Sequence, residues 1–459
     1  MSSARSRSTR ILAALLSAAF VLALPSSASA APPAGDISKN VEFVANIPEM
    51  KTAISLAFIK DTMFVSTMHG VYSYDVSDPA APELLGALPM YIWENEDMTI
   101  NPKSNLLYIS RDPRGFSTPA TPGSLFPVGA VHIISVADPT AMIQLNVFPV
   151  PAGHTTTCIN SCQYVWTAGP YASTTTQPQW TGRPIFATDV SNPHEPIACP
   201  DPIDTERNDG VTDYVHDVQV DPKGIAWVSG AGGVRGYWTS GTHKDPTTGK
   251  TRQATGCNPI PYAGGGTPTN ATPTRFMHNS WHNPKAKVDG RRGDVLYATE
   301  EELSSSCAAS GRFATFDLKG SYKGEGFKNI DKTKFRMKAL DTWTPDKAEG
   351  ATGCASAHYF EDRGDGLLAN AFYEQGTRFL DASNPRNIKQ VGYYRPDDGT
   401  AWAPYWHDGH VFIADNDRGV DIIKLKSSST KVAAPALSTE SGFEFDPDLG
   451  YMCPLPQAR

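Results

Sequence analysis

Beyond its amino terminus the 459-residue sequence has no long apolar run, no run of basic residues and little of the 3.6-residue periodicity that marks helices. Each absence excludes something. Without a second apolar stretch the mature chain has no membrane span. With 40 Lys and Arg against 48 Asp and Glu, a net charge of −8 and both signs interspersed, it lacks the electrostatic footprint of a nucleic-acid partner. No P-loop, dinucleotide fingerprint or serine nucleophile elbow stands in a strand-turn-helix context, so nucleotide chemistry and serine hydrolysis find no support.

What is present begins with a targeting pattern. Arg5, Arg7 and Arg10 precede the apolar run Ile11 to Leu24, and Ala28-Ser29-Ala30 closes it. This is the layout of a secretory signal peptide over 1–30, with cleavage expected near Ala30 and a secreted, extracellular product. All seven cysteines (158, 162, 199, 257, 307, 354 and 453) follow it. Disulfides are therefore expected, with one thiol left over. Cys158 and Cys162 bracket a short turn and should bond across a hairpin. Cys307 with Cys354 is the next expected pair, and Cys199 with Cys257 a third, which leaves Cys453 free.

One phrase recurs along the chain. It reads Val71-Tyr-Ser-Tyr-Asp-Val-Ser-Asp-Pro79, Val131-His-Ile-Ile-Ser-Val-Ala-Asp-Pro139, Ile185-Phe-Ala-Thr-Asp-Val-Ser-Asn-Pro193 and Arg378-Phe-Leu-Asp-Ala-Ser-Asn-Pro385. Each copy is an alternating strand stopped by an Asp/Asn-Pro turn. Weaker copies at Phe313 to Gly320 and Val420 to Leu425, with Val234 to Ser240 in the remaining place, bring the total to seven. A second phrase, Glu96-Asp-Met-Thr-Ile-Asn-Pro-Lys103 and His216-Asp-Val-Gln-Val-Asp-Pro-Lys223, precedes them by a strand and a loop. Together they describe up-and-down sheets of four strands that must stack radially to bury their faces. The fold expected is all-β, a seven-bladed β-propeller over 41–426. Val41 to Pro48 supplies the outer strand that the last blade lacks and so closes the ring. Residues 427–459 form a Ser/Pro/Ala-rich tail, and 241–274 a long surface insertion. A monomer is expected.

The Asp-Val-Ser-Asp-Pro phrase with its aliphatic strand resembles the LVIVD-repeat family of bacterial propellers over most of the mature chain. The resemblance implies the fold and says little about function. Blades four and five depart from it in lacking the Asp-Pro turn.

Aligning the blades on the second phrase puts Glu96, His154, His216, His278 and His358 at one position, the start of the innermost strand, in blades two to six; the histidines themselves settle blades three and six. Histidine is only 11 of 459 residues, so four in seven equivalent slots is well above chance. Side chains from that position converge on the mouth of the central channel. Imidazoles with a carboxylate suit a transition-metal ion, Cu, Fe or Zn, whereas Ca or Mg prefers oxygen donors. The competing reading is that these histidines hydrogen-bond the backbone and tile the channel. The loops between strands two and three open on the same face and carry His69, Arg111 and Glu300, the candidate catalytic groups; Glu300 to Glu302 read as a general base or as a solvated acidic loop. His282, about 13 Å along the strand from His278, is too far away to share an ion and reads as structural.

In blade number and ring chemistry the chain is similar to the histidine-lined metal propellers, the carotenoid-cleaving oxygenases and the methanethiol oxidase (selenium-binding) family, which favours redox chemistry over hydrolysis. Two functions stay open. One is a metal-dependent oxidoreductase acting on a small organic molecule in the funnel. The other is a non-catalytic binding or scaffold propeller for a protein or glycan, which exposed Trp180, Trp238 and Tyr262 would suit.

Overall fold

The computed structural model describes residues 32–112, 129–169, 185–203, 215–230, 233–246, 248–265, 276–301, 311–319, 338–345 and 354–426. The expected signal peptide and tail, with Cys453, lie outside them, as do Trp180, Glu302 and Cys307. Among the described residues no helix is long and apolar enough to cross a membrane, and the one helical turn is a 3-10 turn at Pro48–Met50.

The strands form seven antiparallel blades. Blade one is Ala53–Ile59, Thr62–Thr67, Gly70–Asp75 and Glu83–Pro89, each strand pairing with the next. Blade two has a short inner strand, Thr99–Asn101, followed by Leu106–Arg111, Ala130–Ser135 and Ile143–Pro149. Blade three runs Thr155–Ile159, Tyr164–Ala168, Phe186–Asp189 and Ile197–Ala198. Blade four runs Val215–Val220, Ile225–Gly230, Gly233–Trp238 and Ile260–Gly265, and blade five Phe276–His282, Val295–Glu301, Phe313–Asp317 and Lys338–Trp343. Blade six is Phe360–Asp362, Leu367–Ala371, Thr377–Asp381 and Lys389–Pro396. Blade seven takes Ala401–His407, His410–Asp415 and Gly419–Leu425, and its outer strand is Val41–Ile47, with Val41 opposite Leu425 and Ile47 opposite Val420. The propeller is thus closed by the N-terminal strand, as the sequence predicts. The sequence does not foretell a further strand, Gly35–Ile37, which adds to the outer edge of blade six. Gly35 has φ 132°, and a Cβ there would meet the Arg395 carbonyl at 2.3 Å, so only glycine lets this strand dock.

The recurring phrase has a local cause. Asp75 accepts the Ser77 amide at 2.8 Å and Asp78 the Ala80 amide at 3.0 Å; Asp138, Asp189 and Asp381 each accept the amide two residues on. These Asx turns end the third strand wherever they occur. The proline then joins neighbouring blades. The Pro139 carbonyl accepts from the Ser73 hydroxyl at 2.6 Å, Pro193 from the Asn146 amide at 3.2 Å and Pro385 from the Thr315 hydroxyl at 2.5 Å. Each turn is thereby pinned to the blade before it.

The apolar core lies between blades. Ile54, Leu56 and Val65 of blade one pack with Trp402, Phe412 and Ile422 of blade seven, across the seam that Val41–Ile47 closes. Burial of such side chains contributes about 1.5–3 kcal/mol each.

Two expectations need correction. The insertion is shorter than 241–274, because Ile260–Gly265 is the outer strand of blade four and Thr242–Lys244 pairs with Thr251–Gln253 as a hairpin. Trp238 and Tyr262 are not free surface aromatics. Their ring centroids lie 5.1 Å apart, and both pack against the core between blades four and five.

Candidate metal centre

The side chains that the blade alignment superposed come together. His216 and His278 lie within the inner strands of blades four and five, His154 immediately before that of blade three, His358 two residues before that of blade six and Glu96 three before that of blade two. A break in the ladder aims them. Pairing slips between Val215 and Asp217, where His216 is the extra residue, and between Met277 and Ser280, which brackets His278. The same slip recurs at Ile54 in blade one and Trp402 in blade seven. A β-bulge re-aims its side chain, and all of these are buried. The polypeptide therefore offers one axial position per blade and fills it with histidine, glutamate or an apolar residue.

The blades are held in step at this level. The Glu96 amide donates to the His154 carbonyl at 2.8 Å, and the Thr155 hydroxyl to the His216 carbonyl at 2.6 Å. Beside His154, Gly169 has φ 113° and would place a Cβ 2.3 Å from the His154 Cβ, so glycine is what admits the imidazole.

Glu96 Oε2 lies 3.2 Å from His216 Nε2 and 3.5 Å from Nε2 of both His154 and His278, and its Oε1 lies 3.3 Å from His358 Nε2. His154 Nε2 and His216 Nε2 are 2.9 Å apart. The donor atoms form two groups sharing Glu96, one with His154 and His216 and the other with His278 and His358, each compact enough to hold a metal ion. All five side chains are within 1% of full burial, so the ring is an enclosed centre and not the open channel mouth that the sequence suggested.

The opposite ring nitrogens of His154, His216 and His358 are engaged. His216 Nδ1 donates to the His278 carbonyl at 3.0 Å and His358 Nδ1 to the Trp402 carbonyl at 2.7 Å, while His154 Nδ1 sits 2.9 Å from Asp112 Oδ2. A carbonyl accepts only, so His216 and His358 carry their proton on Nδ1 and turn an Nε2 lone pair inward. Burial and the neighbouring imidazoles depress His216 well below the ordinary histidine range and bring His278 to about 3. Burial alone would raise Glu96; attraction to the four imidazoles outweighs it and holds the carboxyl well below its ordinary value. The centre is a carboxylate among imidazoles, of which burial favours the neutral form of His216 and His278.

Asp112 and Glu94 join the site without having been expected there, and Glu301 of the acidic loop reaches it where Glu300 was the candidate. Asp112 lies next to Arg111 and orients His154, and with Glu94 it makes a further His/carboxylate group around that imidazole. Glu301 lies 3.7 Å from His278 Nε2 and accepts the Tyr373 hydroxyl. Its neighbour Glu300 is instead clamped by Arg312 at 2.6 and 3.0 Å, as strand alternation puts the two on opposite faces. Arg111 is buried at the end of its strand, where burial lowers it. His69 is exposed and stacks on Tyr91 with centroids 6.5 Å apart. His282 has a structural setting: Nδ1 meets Asp221 at 2.5 Å and Nε2 the Gly293 carbonyl at 3.0 Å.

From the ring a cavity of about 240 Å³ continues along the axis, lined by residues that follow the ring positions on the inner strands of blades two to six and by Pro404 and Tyr405 of blade seven. Two disulfides are present, Cys158–Cys162 across its hairpin with Cα atoms 4.4 Å apart and Cys199–Cys257, which ties the blade-four hairpin to blade three. Cys354 is disulfide-bonded too; the expected partner, Cys307, lies outside the described residues.

The fold and site together define a seven-bladed propeller with buried His, Glu and Asp groups positioned to hold a metal ion. No family model and no curated protein matches the chain. Similar solved structures include the WD40 β-propeller domain of Doa1, at 7% identity and a TM-score of 0.49 over 85% of this chain and 99% of that one. Another is a periplasmic gluconolactonase of Pseudomonas aeruginosa, at 12% identity and a TM-score of 0.47 over 75% and 86%. The propeller assignment rests on the seven sheets themselves.

Proposed function

We propose that the chain is an exported, metal-dependent oxidoreductase whose transition-metal ion is held by Glu96 with His154, His216, His278 and His358, and whose substrate is a small organic molecule in the axial cavity. The observation that carries this is the spacing of the donors. Bonds of about 2.1 Å, at angles between a right angle and the tetrahedral one, separate neighbouring ligand atoms by about 3.0–3.4 Å. The ring distances of 2.9–3.5 Å bracket that range. Several exceed the usual 2.7–3.2 Å of a direct hydrogen bond. His216 turns its Nε2 lone pair toward His154 Nε2 at 2.9 Å, a separation that two imidazole ligands of one cation would have.

When bound, Cu or Fe would supply electron transfer, and any of the three ions would polarise a ligand in a site shielded from water. The chain's own groups prepare the place. Asp112 and the carbonyls of His278 and Trp402 fix the imidazole tautomers, Glu96 supplies negative charge, and burial excludes solvent. Imidazoles in the majority favour Cu, Fe or Zn over Ca or Mg.

The test is a metal analysis of protein purified without a histidine tag. Near-stoichiometric Cu, Fe or Zn supports the reading. Less than about a tenth of an equivalent of any transition metal, with no uptake on titration, overturns it and leaves a structural ring in a binding propeller.

A further inference from the structure

We infer that the axial cavity beyond the ring is a binding site for a small organic cation, an amine or a quaternary ammonium. This deepens the metal-centre reading by naming the class of molecule held beside the ring, and rests on that reading only for the link to chemistry.

Position comes first. Asp97 follows Glu96, Thr156 follows His154 by two residues and Tyr359 follows His358 directly, so the ring forms one end of the cavity. At about 30 Å³ per water its volume holds roughly eight waters, which suits a compact organic ion.

The lining then selects charge. Asp97 and Glu361 both face the cavity, and no Lys, Arg or His is among its lining residues. Glu361 is fixed by the Trp406 amide, which donates to its Oε2. An anion finds no positive side chain to pair with here, whereas a cation finds carboxyl oxygens to accept from it in a setting of low dielectric.

The walls point the same way. Trp281, Tyr359, Phe360 and Tyr405 line the space, and aromatic faces beside carboxylates are what recognise ammonium groups, through the ring quadrupole. The buried Tyr359 lies on the cavity wall, where its hydroxyl donates to Asp97 and keeps an oxygen lone pair to accept from a ligand. An N–H donor in the cavity can give to that oxygen.

The experiment is calorimetric titration of tag-free protein, as isolated and after chelator treatment. The probes are choline, a primary alkylamine of similar size, and the uncharged carbon isostere of choline in which tert-butyl replaces trimethylammonium. Both cations should bind at least about tenfold more tightly than the neutral isostere, the margin expected of charge recognition with cation–π contact. Glu361→Gln should weaken the cations by a similar factor without changing the isostere, with near-ultraviolet circular dichroism unchanged. Tyr359→Phe, a milder variant, should weaken the primary amine more than choline, which has no N–H to donate. Equal or tighter binding of the isostere overturns the inference, as does unchanged cation affinity in folded Glu361→Gln or no binding of any probe. The two readings fail separately. Cation binding by a protein that takes up no metal sinks only the oxidoreductase, and metal uptake without cation binding sinks only this site.

Discussion

The protein buries histidine beside carboxylate in two settings that differ in one respect. His282, on the same strand as His278, has both ring nitrogens taken, one by Asp221 and one by the Gly293 carbonyl, and Asp221 also accepts the Trp227 indole at 3.1 Å. That imidazole locks blade four to blade five. In the axial ring the Nδ1 atoms of His154, His216 and His358 are taken in the same way, but the Nε2 atoms turn toward one another and toward Glu96. Burial and an acidic neighbour are common to both settings, so neither marks a metal site. What distinguishes the ring is convergence of the second nitrogen, and that depends on where the bulges fall.

The contrast is open to attack from either side. The largest effect should come from His216→Ala, which removes the donor closest to Glu96. Metal affinity should fall by more than about a hundredfold. The melting temperature of the metal-free protein should change little, and a variant that unfolds instead would make His216 a packing element. The reverse is expected of His282→Ala. It leaves Asp221 buried with one partner fewer, at a cost of about 3 kcal/mol by the usual penalty for breaking a buried pair. Denaturant unfolding should show that loss while metal content stays at the wild-type level, and loss of metal here would erase the distinction.

Asp112→Asn is a smaller perturbation, since it keeps the shape but weakens the anchor of His154. About a tenfold loss of metal affinity is expected, at the low end for changes to a group that orients a ligand. Competition with a chelator of known affinity measures it.

The smallest effect concerns Glu361, whose carboxyl burial pushes up to about 7. Its folded pKa lies above the unfolded one, so the native state holds the extra proton and the stability that comes with it is complete below about pH 4.3. That contribution is lost as pH rises toward 7. Metal-free wild type should therefore lose stability relative to Glu361→Gln across that window. A difference between their melting temperatures that does not vary with pH would show that the carboxyl titrates normally.

Much of this was legible because the signals are local. An Asp or Asn that caps the amide two residues on makes its turn from neighbours in sequence, so the phrase at Asp75, Asp138, Asp189 and Asp381 counts blades before any blade is seen. The phrase also sets a common register, which is why Glu96 and the four histidines fell at one position. Cys158 and Cys162 paired for the same reason, since the turn that joins them is short. Other features depend on which blades face each other. Asp112 reaches His154 from the end of a different blade, and Glu301 rather than Glu300 approaches His278 because a one-residue step reverses a strand side chain.

By itself the sequence determined the number of blades, the strand that closes them and the residue offered to the axis by each, because hydrogen bonding between near neighbours and alternation along a strand settle those. Tertiary structure decided the rest. Bulges at His216 and His278 and the stacking of blades two to six turned five separate side chains into one buried cluster with a cavity beyond it. Distances across the axis depend on how the sheets pack against each other, and no spacing along the chain encodes them.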